Sequence, residues 1–389
     1  MTGYERIVAA LARVTSSGRY IPEIDGLRFV AIAGVVLHHM RANLEMRPPV
    51  AWNVPAADDL LARVAFQGDA GVLLFFAISG FVLGFPFVLE HAHGGAPVSL
   101  RAYYVRRLTR LEPPYLASLI AIAMLLVVFK HRADLLPHAL ASSVYVHNLV
   151  YQRPSLVNVV YWSLEVEVQF YVVAPFLAKG FLRFARTGRR VLLLLIVCGT
   201  VAVQQAARSP HVMLELTLAG NIQHFLVGLL LADLYADGWR GVPGGARAWD
   251  AVALLGWPLL VVALVTYPVA ARGLVPFFTL VLYVAVFRGG LARRVFAATP
   301  IRTIGGMCYS IYLIHFQVIS VVAWLTTRVT LTHDFGVNLL LQIVLTGIPV
   351  LAASAVFFLL VEKPCMRSDW PSRLAAALWS RHARATPRP

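Results

Sequence analysis

The chain has 389 residues, of which 59% are hydrophobic and 14% charged, and its formal net charge is +15. Soluble domains contain about 45–50% apolar and about 25% charged residues, so the composition excludes an ordinary soluble protein and indicates a polytopic membrane protein. The basic residues do not form runs in polar surroundings, and we expect no nucleic-acid partner. The three cysteines form no CxxC pair, so neither a metal site nor a disulfide framework is expected.

Ten apolar stretches approach the length of about 20 residues that a membrane-spanning helix needs. They cover approximately residues 26–43, 70–89, 113–130, 158–178, 190–207, 214–236, 250–268, 272–287, 304–327 and 336–361. The sequence therefore predicts an all-α fold, a polytopic integral membrane helical bundle of about ten transmembrane helices. Segment 136–150 is apolar but short and contains two histidines, and we interpret it as a re-entrant or interfacial piece.

Lysine and arginine are distributed unevenly between the two sides of this predicted bundle. The loops and tail on the side of the N-terminus contain 24 of them, and the loops on the other side contain 9. Positive charge concentrates in cytoplasmic loops, so both termini are predicted to lie in the cytoplasm. The chain then divides into a cytoplasmic N-terminal segment (1–20), a membrane domain (21–367) and a cytoplasmic basic tail (368–389).

The first predicted span, "DGLRFVAIAGVVLHH", contains an arginine and two histidines. Ionisable groups at membrane depth indicate either a functional site or a pair that holds helices together. Arg28 and His39 are eleven residues apart, so on a helix they lie within roughly 20° of each other and roughly 16 Å apart. His38 is rotated by a further ~100°. We therefore expect His39, rather than His38, to share a functional face with Arg28.

Three other predicted spans place polar residues at a similar depth. Glu167 lies about nine residues into the fourth span, Ser79 about nine residues into the second, and His315 about eleven residues into the ninth, at ~1.5 Å per residue. Together with His39, these residues predict a hydrated chamber in which Ser79 and His315 are lining residues.

The segment before the third span, "YYVRRLTRLEPPY", contains Arg106, Arg107 and Arg110. Arg107 and Arg110 are three residues apart and share a face if the segment is helical. They either anchor the chain to anionic lipid or clamp phosphates, which arginine binds in a bidentate way. Glu362 and Lys363 are expected near them. An arginine-lined mouth that leads to a deep histidine suits acyl-coenzyme A, because a histidine of near-neutral pKa can deprotonate an attacking hydroxyl and a carboxylate can orient it.

Six motifs together resemble the membrane-bound acyltransferase-3 family over about residues 20 to 367. They are "IPEIDGLRFVAIAGVVLHH", "FFAISGF", "RRLTRLEPPY", "WSLEVEVQFYVVAP", "GMCYSIYLIHF" and "VEKP". The resemblance implies that Arg28 and His39 are the family's arginine and histidine of the first helix. It also implies that Glu167, not Glu165, is the essential glutamate.

The resemblance further implies an acyltransferase that moves an acetyl or other acyl group from acyl-CoA, acetyl-CoA above all, to a hydroxyl. Its acceptor would be an envelope glycan, a glycolipid or a macrolide. The protein would be located in the bacterial cytoplasmic membrane. Arg107 and Arg110 fall on the family's paired arginines and, with Arg28, would bind the donor, while His39 and Glu167 would be catalytic. A proton-coupled transporter or a lipid flippase without acyl-transfer chemistry is the alternative reading of the same polar helices.

Three positions depart from the family pattern. Leu73 stands where relatives often have Asp, Gln317 where they often have Pro, and His224 where an acidic residue is common. These differences leave the predicted fold unchanged and make the acceptor harder to predict.

Overall fold

A computed structural model of the chain describes residues 2–14, 20–47, 54–56, 58–94, 97–206, 212–238, 245–367 and 370. Every regular element in these residues is a helix, which confirms the predicted all-α fold. The predicted division of the chain at residues 20 and 367 is not tested by the fold. Of the predicted basic tail 368–389, only Trp370 belongs to the described residues.

Within the described residues, ten long helices form the bundle, and each overlaps one predicted span. They are α1 (Pro22–Glu45), α2 (Ala70–His93), α3 (Leu100–Lys130), α4 (Tyr161–Leu182), α5 (Arg186–Ala206), α6 (Leu218–Ala236), α7 (Ala246–Thr266), α8 (Pro268–Arg288), α9 (Cys308–Thr326) and α10 (Phe335–Phe357). The last helix continues through a π-helical turn, Phe358–Glu362.

Eight helices in the described part of the chain are long and apolar enough to cross a membrane, which confirms a multi-pass membrane protein. Helices α1 and α4 are the exceptions, although their 24 and 22 residues give ample length. Charged residues explain the difference, because α1 includes Asp25 and Arg28 and α4 includes Glu165 and Glu167. Ionisable residues inside such helices face the bundle interior and mark functional sites.

The segment 136–150 does not form an additional span. It contains two short helices, Leu136–Ser143 and His147–Tyr151, of eight and five residues. At ~1.5 Å per residue neither can cross a hydrocarbon core of about 30 Å. The backbone N–H of Asn148 donates to the Glu165 carboxylate over 2.8 Å, which holds this segment against α4. Glu165 is thus engaged away from the cavity described below.

Two helices that line the cavity described below, α1 and α2, are positioned by close contacts that only glycine permits. A Cβ at Gly228 of α6 would lie 2.0 Å from the carbonyl oxygen of Ala77 in α2. A Cβ at Gly305, in the short helix Thr299–Gly306, would lie 1.7 Å from the carbonyl oxygen of Asp25 in α1. Small residues allow the backbones of membrane helices to come into contact. Here such contacts hold α1 near Asp25 and α2 near Ala77.

Candidate active site

A cavity of about 980 Å³, counting the space that opens to solvent, lies between α1, α2, α3, α4 and α9. One part of its lining is strongly basic, and we call the four guanidinium groups there the arginine mouth. They are Arg13, Arg28, Arg107 and Arg110. Beyond them the lining includes Ser79, Glu167 and apolar side chains such as Phe75 and Phe76. The cavity therefore joins a cationic opening to a mixed polar and apolar interior.

The paired arginines of the third span both face the cavity. Helix α3 is continuous from Leu100, and both Arg107 and Arg110 line the cavity, whereas the adjacent Arg106 is exposed and does not. The Arg107 guanidinium lies over the rings of Tyr103 and Tyr171, at 5.8 and 6.0 Å from their centres. Stacking of this kind fixes the direction of the guanidinium while leaving its N–H groups available.

Two prolines follow these arginines without ending the helix. Pro113 cannot donate to the carbonyl of Thr109, four residues before it. The indole Nε1–H of Trp370 donates to that carbonyl instead, over 2.9 Å. The hydroxyl of Tyr309 donates to the carbonyl of Leu111 over 2.8 Å. Side chains from elsewhere in the chain therefore support α3 where it presents the arginine mouth.

Carboxylates compensate the arginine mouth only in part. Asp25 Oδ1 accepts from Arg28 Nη1 at 2.6 Å and from Arg13 Nη1 at 3.1 Å. Buried Glu362 accepts from the backbone N–H and hydroxyl of Ser310, at 3.0 and 2.5 Å. Among the described residues, no carboxylate lies within ion-pair distance of Arg107 or Arg110, the second of which faces three other arginines.

His39 pairs with His315 across the interface between α1 and α9. The Nδ1 atom of His315 lies 2.8 and 3.0 Å from the carbonyl oxygens of Ile311 and Tyr312, which can only accept. His315 Nδ1 therefore bears the hydrogen, and its Nε2 must be the acceptor of the neutral ring. That Nε2 lies 3.1 Å from His39 Nδ1, so His39 Nδ1 is the donor.

This chain of contacts assigns the tautomer of His39. Its Nδ1 also lies 3.0 Å from the carbonyl oxygen of Val35, which again requires a hydrogen on Nδ1. The lone pair of neutral His39 is then on Nε2. His315 is fully buried, whereas His39 remains partly exposed. The partly exposed ring is the one whose second nitrogen is free to accept a proton.

His38 takes a different direction, as its position on the helix predicts. Its Nδ1 donates to the carbonyl oxygen of Phe66 over 2.7 Å, and its ring packs near Phe66. The rings of His38 and His39 are nearly perpendicular, at 86°. His38 thus fastens α1 to the short helix Leu60–Phe66, away from His315.

Glu167 has a partner other than the one expected from the sequence. Its carboxylate accepts a short hydrogen bond from the hydroxyl of Ser79. Tyr171 and Arg28 lie near enough to interact with the charge of the same carboxylate. No hydrogen bond joins Glu167 to His39 in the described part of the chain. The group that orients the His39 ring is His315, which the sequence suggested only as a lining residue.

The pairs Ser79–Glu167 and His39–His315 differ in their exposure to the cavity. Ser79 and Glu167 line it, whereas the rings of His39 and His315 do not. The cavity reaches Val35, whose carbonyl contacts His39 from one helical turn away. His315 therefore supports His39 from behind rather than lining the cavity, because every atom of its side chain is covered.

Arg13 is a site residue that sequence reasoning missed. It precedes the first span and lines the cavity with a side chain that is 17% exposed. Burial lowers the pKa of the Arg13 guanidinium, the neighbouring Arg28 lowers it further, and Asp25 opposes the shift. Asp25 was missed too, although its spacing of three residues from Arg28 is a signal for an ion pair on one helix face.

The three departures from the family pattern lie in separate places. Leu73 packs against the apolar core, and His224 is buried in α6. Gln317 accepts a hydrogen bond from Asn158 over 3.4 Å. In the described residues, no three His, Cys, Asp or Glu side chains converge as metal ligands would.

Comparison with known proteins gives two findings. The chain is 25% identical over 346 residues to the peptidoglycan O-acetyltransferase OatA of Listeria monocytogenes, a match that covers 78% of this chain and 50% of the relative. It is 23% identical over 332 residues to the O-acetyltransferase OatA of Staphylococcus aureus, which covers 78% and 51%. The chain thus spans about half the length of the curated relatives it matches. No solved structure matches it.

The second finding concerns the family. The acyltransferase-3 family, described as an acyltransferase domain, matches residues 21–359. The matched region contains all ten long helices and every site residue predicted from the sequence. The resemblance drawn from six motifs is therefore confirmed, and the chain belongs to the acyltransferase-3 family, whose members transfer acyl groups.

Proposed function

We propose that this protein transfers an acetyl or other acyl group from acyl-coenzyme A to a hydroxyl of a cell-envelope glycan. The observation that carries the proposal is a cavity lined at one part by the arginine mouth and elsewhere by Val35, one helical turn from His39, whose tautomer its contacts fix. The names of the relatives, a peptidoglycan O-acetyltransferase and an O-acetyltransferase, favour acetyl as the group and a glycan as the acceptor. A glycolipid or macrolide acceptor has the same reacting hydroxyl.

The donor site follows from the charge of the mouth. Two partly buried arginines, Arg107 and Arg110, have no carboxylate at ion-pair distance among the described residues. A buried charge is costly unless it is paired, so this arrangement favours an anionic ligand. Planar guanidinium groups bind phosphate oxygens bidentately, and coenzyme A presents a pyrophosphate and a further phosphate at one end. Its pantetheine arm would extend along the apolar lining toward Val35.

His39 would act as the general base. In the proposed step, His39 Nε2 takes the proton of the acceptor hydroxyl while the hydroxyl oxygen attacks the thioester carbonyl. The tetrahedral intermediate collapses with loss of the coenzyme A thiolate, which the imidazolium then protonates. His315 holds the ring by accepting from Nδ1–H and so keeps the Nε2 lone pair directed at the acceptor.

Glu167 and Ser79 would form the polar wall next to the reacting group. The hydrogen bond from Ser79 fixes the carboxylate, and Arg28 lies near enough to interact with its charge. We therefore propose that Glu167 acts on the donor channel rather than directly on His39. Glu167 would then be connected to the histidine pair only through bound substrate.

The proposed orientation places the arginine mouth on the cytoplasmic side, where acyl-coenzyme A is available, and the protein in the bacterial plasma membrane. The 24-to-9 distribution of lysine and arginine supports it. In a cysteine-free background, a membrane-impermeant thiol reagent added to whole cells should label Arg153→Cys but not Arg186→Cys. Both side chains are exposed in the structure, so access differs only by membrane side. The reverse labelling pattern would contradict the orientation.

The function is tested with the purified protein and acetyl-coenzyme A. The wild type should bind the donor and release free coenzyme A when glycan acceptor is added. Arg107→Ala and Arg110→Ala should each weaken donor binding about tenfold or more, because a hydrogen bond to a charged group contributes about 1.5–3 kcal/mol. Lysine at either position should restore only part of the affinity, since it lacks the planar fork.

Arg106→Ala is the matched control for this measurement. Arg106 lies on the same helix and has the same charge, but it is exposed and does not line the cavity. If all three alanine variants bound the donor with the affinity of the wild type, these arginines would only contact lipid. A wild type that neither binds acetyl-coenzyme A nor releases coenzyme A would overturn the proposed function itself.

A further inference from the structure

The N-terminal segment before α1 lies outside the region that matches the family, which begins at residue 21. It forms a helix, Gly3–Leu11, that starts with a capping box between Thr2 and Glu5. The Thr2 hydroxyl accepts from the Glu5 N–H at 3.2 Å, and the Glu5 carboxylate accepts from the Thr2 N–H at 2.8 Å. The helix is therefore specified locally, and two residues after its end the chain places Arg13 in the cavity.

The membrane domain holds this helix firmly at its C-terminal end. The Lys363 ammonium donates to the carbonyl oxygen of Ala10 at 2.5 Å. This oxygen lies at the C-terminal, negative end of the helix dipole, which stabilises a cation. Leu11 and Val14 pack against a buried cluster of Met307, Phe358 and Met366. Polar capping and apolar packing thus fix the main chain on both sides of Arg13.

The pairing of Arg13 differs from that of arginines with a structural role in this chain. Arg189 donates through both Nε and Nη2 to one oxygen of Asp233, at 2.9 and 2.5 Å. Among the described residues, Arg13 makes one contact of 3.1 Å, to an oxygen of Asp25 that Arg28 already holds at 2.6 Å. Most of the Arg13 N–H groups are therefore available to another acceptor.

Charge at the mouth also favours an additional anion. Four guanidinium groups line it, and three carboxylates interact with them: those of Asp25 and Glu362, and that of Glu167, which lies near Arg28. Arg13 and Arg28 lie near enough to repel each other, and both lie near Arg110. A group with several negative oxygens would relieve this repulsion and satisfy the unused donors together.

We propose that Arg13 is a donor-binding residue and that the helix Gly3–Leu11 is a strap that holds it against the phosphate groups of acyl-coenzyme A. The proposal rests on the proposed function and adds to it a contribution from outside the family domain. Arg13 adds a guanidinium from outside the long helices to the site lined by Arg107 and Arg110, and Lys363 and the apolar cluster keep the strap in place.

The test measures binding of radiolabelled acetyl-coenzyme A to the full chain in nanodiscs of zwitterionic lipid, so that anionic headgroups do not compete for the mouth. Arg13→Ala should weaken binding about tenfold, the effect of losing one charge-assisted hydrogen bond. Arg6→Ala is the matched control, since Arg6 is an exposed arginine of the same strap. Its affinity should equal that of the wild type.

Further variants cover the case in which the alanine variant fails to fold. Arg13→Lys keeps a cation beside Asp25 and should bind more tightly than Arg13→Gln but more weakly than the wild type. Wild-type affinity in a folded Arg13→Ala or Arg13→Gln variant would overturn the proposal and leave Arg13 as a tether for the strap. Arg107→Ala is measured alongside. If it weakens binding and the Arg13 variants do not, only this inference fails; if the wild type does not bind, the proposed function fails.

Discussion

Replacing His39 by alanine should abolish acyl transfer, whereas replacing His38 should leave most of the rate intact. His39 Nδ1–H is engaged by His315 and by the Val35 carbonyl, so its Nε2 is the available base. His38 donates to the Phe66 carbonyl and faces another helix. Loss of a general base commonly costs about 10²–10⁴-fold in rate, while loss of the His38 contact should mainly lower stability. The measurement is the rate of coenzyme A release with acceptor present.

Both variants must be compared at equal amounts of folded protein, with donor affinity measured in parallel. His39→Ala should keep its affinity for acetyl-coenzyme A, because the arginine mouth lies roughly three helical turns away along α1. His38→Ala should show a lower melting temperature and nearly normal turnover per folded molecule. An active His39→Ala variant beside an inactive His38→Ala variant would refute the assignment of the helix face and of the base.

The helices could be predicted because each membrane-spanning segment must meet the requirements of the bilayer through its own residues. A spanning helix forms all its backbone hydrogen bonds internally, so a run of about 20 apolar residues is a sufficient local signal. The same logic explains why 136–150 was correctly read as too short. The signal weakens in α1 and α4, where Arg28 and Glu167 interrupt the apolar run, and there the site rather than the membrane decides the composition.

Relations within one helix could also be predicted. Rotation by 100° per residue separates His39 from His38, and spacing by three puts Arg107 and Arg110 on one face. In the structure His39 contacts His315 and His38 contacts Phe66, and Arg107 and Arg110 both line the cavity. No knowledge of the other helices enters this argument.

Relations between helices could not be predicted from one sequence. Similar depth suggested that His39, Glu167, Ser79 and His315 meet, but depth does not say which residues face each other. The structure forms the pairs His39–His315 and Ser79–Glu167, because α1 packs on α9 at that level while α2 packs on α4. Glu167 was expected to orient the histidine because a carboxylate can orient an imidazole ring. In the structure His315 contacts His39 instead, and Glu167 contacts Ser79.

Arg13 illustrates a second limit. The pattern of the first residues, with a capping box and apolar positions, is enough for a short helix. Where that helix docks depends on Lys363 and on the cluster of Met307, Phe358 and Met366, all of which lie in the last quarter of the chain. Docking of this kind is a tertiary event that no local pattern records.

Replacing His315 by alanine should lower the turnover number by about 10–10²-fold, less than the loss of His39, while leaving the KM for acetyl-coenzyme A unchanged. The reason is that His315 Nε2 accepts from His39 Nδ1–H and orients the ring, but the Val35 carbonyl still accepts from the same N–H. His39 then keeps its tautomer in part and loses its fixed direction. The measurement is the dependence of the rate on donor concentration at several pH values.

His315→Gln is the informative companion variant, because a glutamine carbonyl can replace Nε2 as acceptor and fill most of the buried space. It should recover part of the turnover, and its pH–rate profile should lie nearer to that of the wild type than the profile of the alanine variant. The sequence alone suggested a different role, in which His315 lines the substrate chamber. A chamber residue would raise the KM for donor or acceptor with little change in turnover, since it binds ground state and transition state alike. That outcome would restore His315 to the chamber and remove it as the positioning residue of His39.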